Sequence, residues 1–368
     1  MKIKHLTFLF LCLCCGHSAF AKMNDFAPLQ DTTKQKNYKL IALPIVAFTP
    51  ETDWIFGGAG SLSFRFKGES KESLPSQLLA GGAYTLNKQV LTYLNYQLFY
   101  REELYKLYGE LGYYIYTYPY FGVGNDLKED NLETYEASFP RVRINALYLV
   151  RPKLYVGIRY LMDNFDIRDT EQNGLLETTK VSGSEGGFLS GLGLVLNYES
   201  RDNIFYPTKG RYAELVLLSN SKTLGSDFNF QKYSLDVSTY FSNKRKHVFA
   251  LNLYGEFTFG DVPFYQMALF GGTRRMRGYI EGRYRDKQLL ILQGEYRIPL
   301  FWRFGGVLFG GAGRVANNVN DLSFQDLHYN AGAGIRFTLD AKEKLNLRFD
   351  VGVGEDGPGY YLTFGEAF

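Results

Sequence analysis

The sequence predicts an all-β fold, a transmembrane antiparallel β-barrel. Three observations predict the barrel. The 368 residues include 30 Phe and 29 Tyr, an aromatic enrichment typical of strands. Apolar and polar residues alternate over segments of about ten residues. No stretch after the amino terminus approaches the roughly 18 consecutive apolar residues of a membrane-spanning helix.

The alternation is clearest in the segment 344–354. Its apolar face consists of Leu345, Leu347, Phe349, Val351 and Val353. Its other face is mainly polar and includes Arg348 and Asp350. A soluble β-sandwich would bury such apolar faces, whereas a transmembrane barrel turns them toward lipid. The segments are longer than typical soluble strands, which favours the membrane barrel.

Counting these segments predicts sixteen strands, with fourteen as the alternative. The predicted strands begin near Leu40, Phe56, Gln77, Val90, Lys106, Leu132, Leu154, Gly187, Arg211, Phe228, His247, Asp286, Arg303, Leu327, Glu343 and Gly359. An even number places both ends of the barrel chain in the periplasm. The long polar connections 119–131 and 164–186 then lie outside the cell, and short ones such as 242–246 lie in the periplasm, as expected for this class of barrel.

The amino terminus has the pattern of a secretory signal peptide: a basic start, an apolar run, and Ala19-Phe20-Ala21 before the cleavage point. We therefore predict a signal peptide over 1–21, a short periplasmic extension over 22–39 and an outer-membrane barrel over 40–368. Removal of the signal peptide leaves no Cys and only two His, so no metal site, redox centre or cofactor is expected. The balance of 41 basic and 38 acidic residues argues against a nucleic-acid partner.

The connection between the eleventh and twelfth predicted strands is rich in Arg and Gly, and contains the tetrad Met276-Arg277-Gly278-Tyr279. This hydrophobic-Arg-Gly-aromatic tetrad resembles the signature of the BamA/TamA outer-membrane family, the bacterial surface antigen superfamily. The resemblance implies that the loop folds back into the barrel. It also implies that the Arg meets acidic groups on the strand walls.

Further motifs resemble the same family, in the same order along the chain. The turn motif consists of Arg201, Asp202, Asn203, Pro207 and Gly210. Glu295 lies in the strand after the Arg loop, where the family carries an acidic partner of the Arg. Phe364 and Phe368 are similar to the terminal aromatic signal by which such barrels are recognised for insertion.

Two features depart from the family pattern. Gly311 stands where the family carries an Asp that also faces the loop Arg. Residues 22–39 are too few for even one POTRA domain, the periplasmic module with which well-studied members receive client polypeptides. We therefore expect a barrel-only member.

The position of Glu295 supports the same contact on physical grounds alone. It shares a strand face with Gln293 and Arg297, whereas Tyr296 and Ile298 occupy the opposite face, so Glu295 is expected to point into the lumen. An Arg carried inward by a Gly-rich loop can form a charge-assisted pair with this carboxylate. We predict that the pair latches the loop inside the barrel. An Arg-rich surface loop in contact with lipid phosphates or water is the alternative.

The resemblance implies a role in outer-membrane protein insertion or assembly, or in polypeptide or lipid export. The expected partners are outer-membrane lipid and periplasmic or outer-membrane proteins that supply client binding. A passive or plugged pore, or a structural barrel, is the alternative. A lipid-modifying enzyme would need His247 or His328, and because no G-x-S-x-G motif is present, we predict no catalytic residues.

Two other patterns have simpler structural interpretations. The segment 352–357 matches a dinucleotide fingerprint, but it lies between two predicted strands, so a tight turn is expected. The acidic residues Asp126, Glu129, Asp130 and Glu133 predict a solvated extracellular loop, with a Ca²⁺ site as the alternative.

Overall fold

The computed structural model of the protein describes residues 38–49, 53–70, 72–86, 88–340 and 344–368. The predicted signal peptide and residues 22–37 of the predicted extension lie outside the described residues. The last two residues assigned to the extension, 38 and 39, instead begin the first strand. In the part of the chain that the structure describes, no helix is long and apolar enough to cross a membrane.

The described residues form eighteen strands in two antiparallel sheets. The large sheet consists of β1 (Tyr38–Thr49), β2 (Asp53–Phe64), β3 (Ser76–Thr85), β4 (Val90–Tyr100), β5 (Tyr105–Tyr120), β6 (Glu133–Arg151), β7 (Leu154–Thr170), β8 (Gly186–Glu199), β9 (Gly210–Asn220), β10 (Phe230–Ser242), β11 (Val248–Gly260), β14 (Gln288–Pro299), β15 (Phe304–Ala316), β16 (His328–Asp340), β17 (Leu345–Gly354) and β18 (Gly357–Phe364). A small ribbon consists of β12 (Ala268–Phe270) and β13 (Tyr284–Asp286). A short helix, α1 (Leu175–Thr179), lies between β7 and β8.

The strands of the large sheet are paired in chain order, each antiparallel to the next. β11 pairs directly with β14, so the ribbon and its connection leave the sheet and return to it. Each predicted strand starts within three residues of an observed one. The predicted count of sixteen strands in the barrel sheet is confirmed for the described residues, where the sheet ends at β1 on one side and at β18 on the other.

The large sheet is rolled around the connection between β11 and β14. The ring of Phe264, in this connection, lies 5.1 Å from the ring of Tyr135 on β6. Arg277, in the same connection, forms an ion pair with Asp350 on β17. One connection can touch strands so far apart in the sheet order only if the sheet curls around it. The predicted inward-folded loop is therefore present.

Alternation along the strands gives the barrel two chemically different faces. On β8, the side chains of Leu192, Leu194 and Leu196 are exposed on the outer surface, whereas Val195 and Asn197, at the alternate positions, are buried inside. Transmembrane barrels have an apolar exterior and a polar interior, because their outer face contacts lipid whereas their lumen does not. The predicted fold class is confirmed.

The two ends of the barrel differ in the length of their connections. The loop end carries connections that include 121–132, 171–185, 221–229, 261–287 and 317–327. The turn end carries mostly shorter ones, including 101–104, 152–153, 243–247 and 300–303, although 200–209 has ten residues. The dinucleotide-like segment forms the two-residue turn between β17 and β18, at the loop end, as expected.

One residue of the predicted solvated loop is not solvated. Glu133 is buried at the start of β6, and its carboxylate accepts the N–H of Leu176 at 2.7 Å. The first N–H groups of a helix have no partner within the helix, and this carboxylate supplies one for α1. Asp126, Glu129 and Asp130 are exposed, as expected.

Candidate functional site

The connection 261–287 lies so close to the barrel wall that two glycines are needed at the contact. Gly278 has a φ of 115°, and a Cβ there would lie 2.6 Å from the backbone nitrogen of Gly354. From the other side, a Cβ on Gly352 would lie 2.6 Å from the backbone of Arg277. Real Cβ atoms do not approach backbone this closely, so only glycine lets the loop and β17 touch.

Arg277 is held by two carboxylates from different strands. Its Nη2 lies 2.5 Å from Oε1 of Glu295 on β14, and its Nη1 lies 2.5 Å from Oδ2 of Asp350 on β17. The guanidinium carbon also lies 3.6 Å from the ring centroid of Phe309, within cation–π distance. The guanidinium and both carboxylates are buried. The structure thus places Arg277 against Glu295, the residue expected from the sequence.

The second carboxylate is one that the sequence does not predict. Gly311, at the position expected for the family Asp, lies beside Gln293, and a Cβ on Gly311 would lie 2.9 Å from that side chain. The acid that reaches the loop is instead Asp350, on β17. Its place on the same strand face as Arg348 is visible in the alternation, but the sequence does not show which strand lies opposite the loop.

Further arginines surround the two carboxylates. We call this group the arginine network; its members are Arg277, Arg297, Arg336, Arg348, Glu295, Asp350 and Glu366. Every carboxylate in it lies within 4 Å of at least two arginines. Among these seven side chains, four arginines face three carboxylates, so the guanidinium groups outnumber the side-chain carboxylates by one. Such mutual pairing is what makes the burial of charges tolerable.

The other members of the tetrad fix the loop to the last strands. Tyr279 is fully buried, and its hydroxyl donates to the backbone oxygen of Tyr329 on β16 at 2.8 Å. The N–H of Gly278 donates to the hydroxyl of Tyr361 on β18 at 2.8 Å. Met276 is also fully buried. Burial raises the pKa of Tyr279 to about 12, so its hydroxyl keeps the proton that it donates.

The first half of the connection packs against the opposite wall. The ring of Tyr265 stacks on that of Phe165 of β7, with centroids 4.0 Å apart. The side-chain amide of Gln266 donates to Asp163 of the same strand at 3.2 Å. The connection therefore bridges β7 on one side of the lumen and β17 on the other.

The two histidines considered for an enzyme lie in structural contacts. The ring of His328 stacks on Tyr284 of the ribbon, with centroids 3.8 Å apart, and its Nδ1 lies 3.0 Å from Glu355. His247 Nδ1 lies 2.5 Å from the hydroxyl of Tyr296. The position of His328 is explained by its packing against the ribbon, and that of His247 by its contact with Tyr296 on the barrel wall.

The turn motif shapes the connection 200–209 at the turn end. Arg201 Nη2 lies 2.6 Å from Oε2 of Glu199. Gly210 has a φ of 100°, and a Cβ there would lie 2.1 Å from the backbone oxygen of Ser200. These contacts close the connection on itself.

Two other members of the motif join this turn to its surroundings. The Oδ1 of Asn203 accepts the backbone N–H groups of residues 205 and 206, each at 2.8 Å. Pro207 is buried, and its backbone oxygen accepts Nη1 of Arg297 at 3.4 Å. The turn motif therefore contacts the arginine network, a link that the sequence does not predict.

Asp202 holds the middle of the turn motif. Its carboxylate accepts the backbone N–H of Thr208 at 2.8 Å and that of Lys209 at 3.1 Å, as well as the Thr208 hydroxyl. Burial works to raise the pKa of Asp202, but the hydrogen bonds from Thr208 and Lys209 and the nearby Lys344 outweigh it, so the pKa lies below its usual value.

The residues of the predicted terminal signal occupy different environments. Phe364 ends β18 and lines a small apolar cavity with Ile41 and Leu345. Phe368 lies beyond the strand, and its backbone oxygen accepts Nη2 of Arg297 at 2.9 Å. The role of these two residues as an insertion signal stays a prediction.

Comparisons with known proteins agree with this fold. The family model described as the Omp85 superfamily domain matches residues 52–367. BamA from Haemophilus ducreyi lacking POTRA domains 1-3 is similar at 15% identity and a TM-score of 0.56, covering 90% of this chain and 70% of that chain. Among curated protein sequences, no match was found.

Two CdiB structures are similar as well. CdiB from Acinetobacter baumannii has 13% identity and a TM-score of 0.55, covering 90% of this chain and 59% of that chain. CdiB from Escherichia coli has 12% identity and a TM-score of 0.58, covering 90% and 61%. The chain thus spans about three fifths of the length of these two CdiB chains, and likeness at such identities shows the fold alone. Together with the family match, these findings confirm the predicted resemblance to BamA/TamA-type barrels.

Proposed function

Because this chain belongs to the Omp85 superfamily, we propose that it is an integral outer-membrane barrel that inserts or assembles outer-membrane proteins, or exports polypeptide or lipid. The observation that supports the proposal best is where the latched loop is attached. Arg277 pairs with β17, and Gly278 bonds to Tyr361 of β18, the last strand of the sheet. The loop is therefore bonded to β17 and β18, at the edge where the described sheet ends.

An opening between β1 and β18 would let a client or a lipid leave the lumen sideways. Within the described residues, β1 is laddered to β2 and β18 to β17. Pro44 lies in β1, and a proline cannot donate to a ladder. The latch holds the β18 side in place, so the edge that moves in this mechanism is the β1 side.

The proposed partners follow from the same role. Outer-membrane lipid surrounds the apolar exterior, and periplasmic or outer-membrane proteins supply the binding of clients. No cofactor or catalytic residue takes part. The signal peptide expected over 1–21 would direct export to this membrane.

Depletion of the protein in the cell that produces it tests the role. Lower amounts of several other outer-membrane barrels, with intact transcripts, would support insertion. Loss of one exported polypeptide or of a surface lipid, with normal barrels, would support export. If all of these levels stay normal, the proposal is wrong and a passive pore or a structural barrel remains.

Complementation tests whether the Arg277 contact is needed for function, in addition to the presence of the barrel. A depleted strain is supplied with wild-type protein, with Arg277→Ala, or with Asp169→Asn. Asp169 is exposed in β7 and serves as the control for a substitution outside the latch. We expect rescue by the wild type and the control and weaker rescue by Arg277→Ala at equal protein level. Equal rescue by all three proteins would show that the latch plays no part in the mechanism.

A further inference from the structure

The turn end of the barrel contains a cavity of about 590 Å³. Four connections contribute to its walls, including 200–209, 243–247 and 300–303. Its volume lies in the range of sites that enclose a small organic ligand. The cavity is separate from the loop contact at Gly278, because none of its lining residues comes from the connection 261–287.

The lining of this cavity is strongly basic. Its charged residues are Lys209, Lys246, Arg303, Arg336 and Lys344. No Asp or Glu is among the described residues that line it. Arg336 is matched by Asp350 and Glu366, and Lys344 lies near Asp202, so the surplus comes from Lys209, Lys246 and Arg303.

The surplus contrasts with the middle of the barrel wall, where several lumen-facing cations have carboxylate partners. Arg143 pairs with Asp163, and Arg159 Nη2 lies 3.0 Å from Glu214. At the cavity, Lys344 lies 3.9 Å from Asp202, and both side chains are partly exposed. Lys209, Lys246 and Arg303 form no ion pair with any described carboxylate. A concave surface lined by one sign of charge concentrates anions.

The rim of the cavity carries aromatic side chains of the kind found at a membrane surface. Trp302 lines the cavity and is 80% exposed, and the neighbouring Phe301 is 70% exposed. The Arg303 guanidinium lies 5.7 Å from the Trp302 ring centroid. Exposed Trp beside Lys and Arg at strand ends marks the level of lipid headgroups.

We propose that this cavity binds the phosphate of an anionic phospholipid headgroup at the turn end of the barrel. Lys209, Lys246 and Lys344 contact the phosphate, while Trp302 lies beside the headgroup region from which the lipid enters. Basic pockets on membrane proteins bind anionic headgroups by this chemistry. The proposal is independent of the export or insertion role, since it concerns lipid held by the barrel itself.

Native mass spectrometry of the full barrel in detergent tests the proposal. Phosphatidylglycerol, phosphatidylcholine, inorganic phosphate and a polyglutamate peptide are titrated separately. Phosphatidylglycerol should bind, and the zwitterionic phosphatidylcholine should bind more weakly. The variant Lys209→Gln/Lys246→Gln should weaken phosphatidylglycerol binding about 25-fold, since each lysine near a lipid surface contributes about a factor of five.

A matched control removes two lysines elsewhere at the same end. Lys67→Gln/Lys153→Gln makes the same charge change, and Lys153 shares with Lys246 an exposed position and a positive φ. This control should bind phosphatidylglycerol as the wild type does. Lys209→Arg/Lys246→Arg should restore binding, and unchanged gel migration shows that each variant is folded.

Several results would overturn the proposal. One is equal binding of the two lipids, and another is an equal loss in the test and control variants. Lysine-dependent binding of inorganic phosphate as tight as that of the lipid would assign the cavity to free phosphate. Lysine-dependent binding of polyglutamate without lipid binding would assign it to an acidic polypeptide.

Discussion

Asp350→Asn is expected to be the most damaging conservative change in the arginine network. The carboxylate is buried and faces Arg277 and Arg336, each at 2.5 Å, and Arg348 at 3.5 Å. An amide keeps the shape but removes the charge and points an N–H₂ group at an arginine. Among the seven side chains of the network, the excess of arginines over carboxylates then rises from one to two.

The size of the effect follows from this imbalance. Removing one partner of a buried ion pair costs about 3–5 kcal/mol when the remaining charge is left without compensation. Arg348 would be left in this state, because Asp350 is its one carboxylate partner among the described residues. Arg277→Gln should cost less, about 1.5–3 kcal/mol, the value of charged hydrogen bonds. After that change Glu295 still pairs with Arg297, and Asp350 still pairs with Arg336. We therefore predict a larger loss for the aspartate variant than for the arginine variant.

The assay is reversible unfolding in denaturant, with the folded fraction read from the faster gel migration of an unheated barrel. Free energies of unfolding come from linear extrapolation. Asp169→Asn, at an exposed position in β7, is the control and should stay within about 0.5 kcal/mol of the wild type. The reasoning is refuted if Asp350→Asn behaves like this control, or if Arg277→Gln proves the more destabilising.

Three further predictions concern the loop and the turn motif. Gly278→Ala should destabilise the barrel by more than Gly357→Ala. Both glycines have a positive φ, but an added Cβ has nothing within 4 Å at Gly357, whereas at Gly278 it meets the backbone of β17. Equal losses of unfolding free energy in denaturant would contradict the close contact between the loop and β17. Arg277→Lys should expose the loop to protease, since an ammonium cannot reproduce the planar two-carboxylate contact; wild-type resistance would argue against the latch. Because the pKa of Asp202 is lowered in the folded protein, its carboxylate stabilises the fold above about pH 4, and this stabilisation is lost as the pH falls through the folded-state pKa. Asp202→Asn should therefore make the free energy of unfolding depend less steeply on pH at acid pH. An unchanged dependence would exclude this role.

Much of the fold is predictable because a transmembrane strand repeats one simple pattern. Alternation of period two locates a strand and assigns its faces, so the residues around Glu295 are enough to place it in the lumen. The tetrad residue Arg277 can be predicted to pair with Glu295, because a glycine-rich connection can enter the barrel. The small ribbon of β12 and β13 is not predicted, since three-residue strands carry no detectable alternation.

The rest depends on how the sheet curls around the connection 261–287. Asp350 reaches Arg277 from a strand three places away from β14 in the sheet, and sequence spacing does not report that proximity. Glu366 is an unusual residue so near a terminal aromatic signal. Its side chain is buried and accepts Nε of Arg336 at 2.8 Å, so its charge is explained by the network. The polar neighbours of Glu133 in the chain predict a solvated side chain, and only the fold shows it beneath α1.

The central claim is that the connection 261–287 occupies the lumen and is fastened there. Single-channel conductance in planar bilayers tests it most directly, with the wild type compared with a variant that lacks 272–282. Phe270 and Tyr284 pair across the ribbon, so this deletion leaves a short turn in its place. Small or flickering openings in the wild type and large steady ones in the variant are predicted. Large steady openings in the wild type, equal to those of the variant, would contradict the claim.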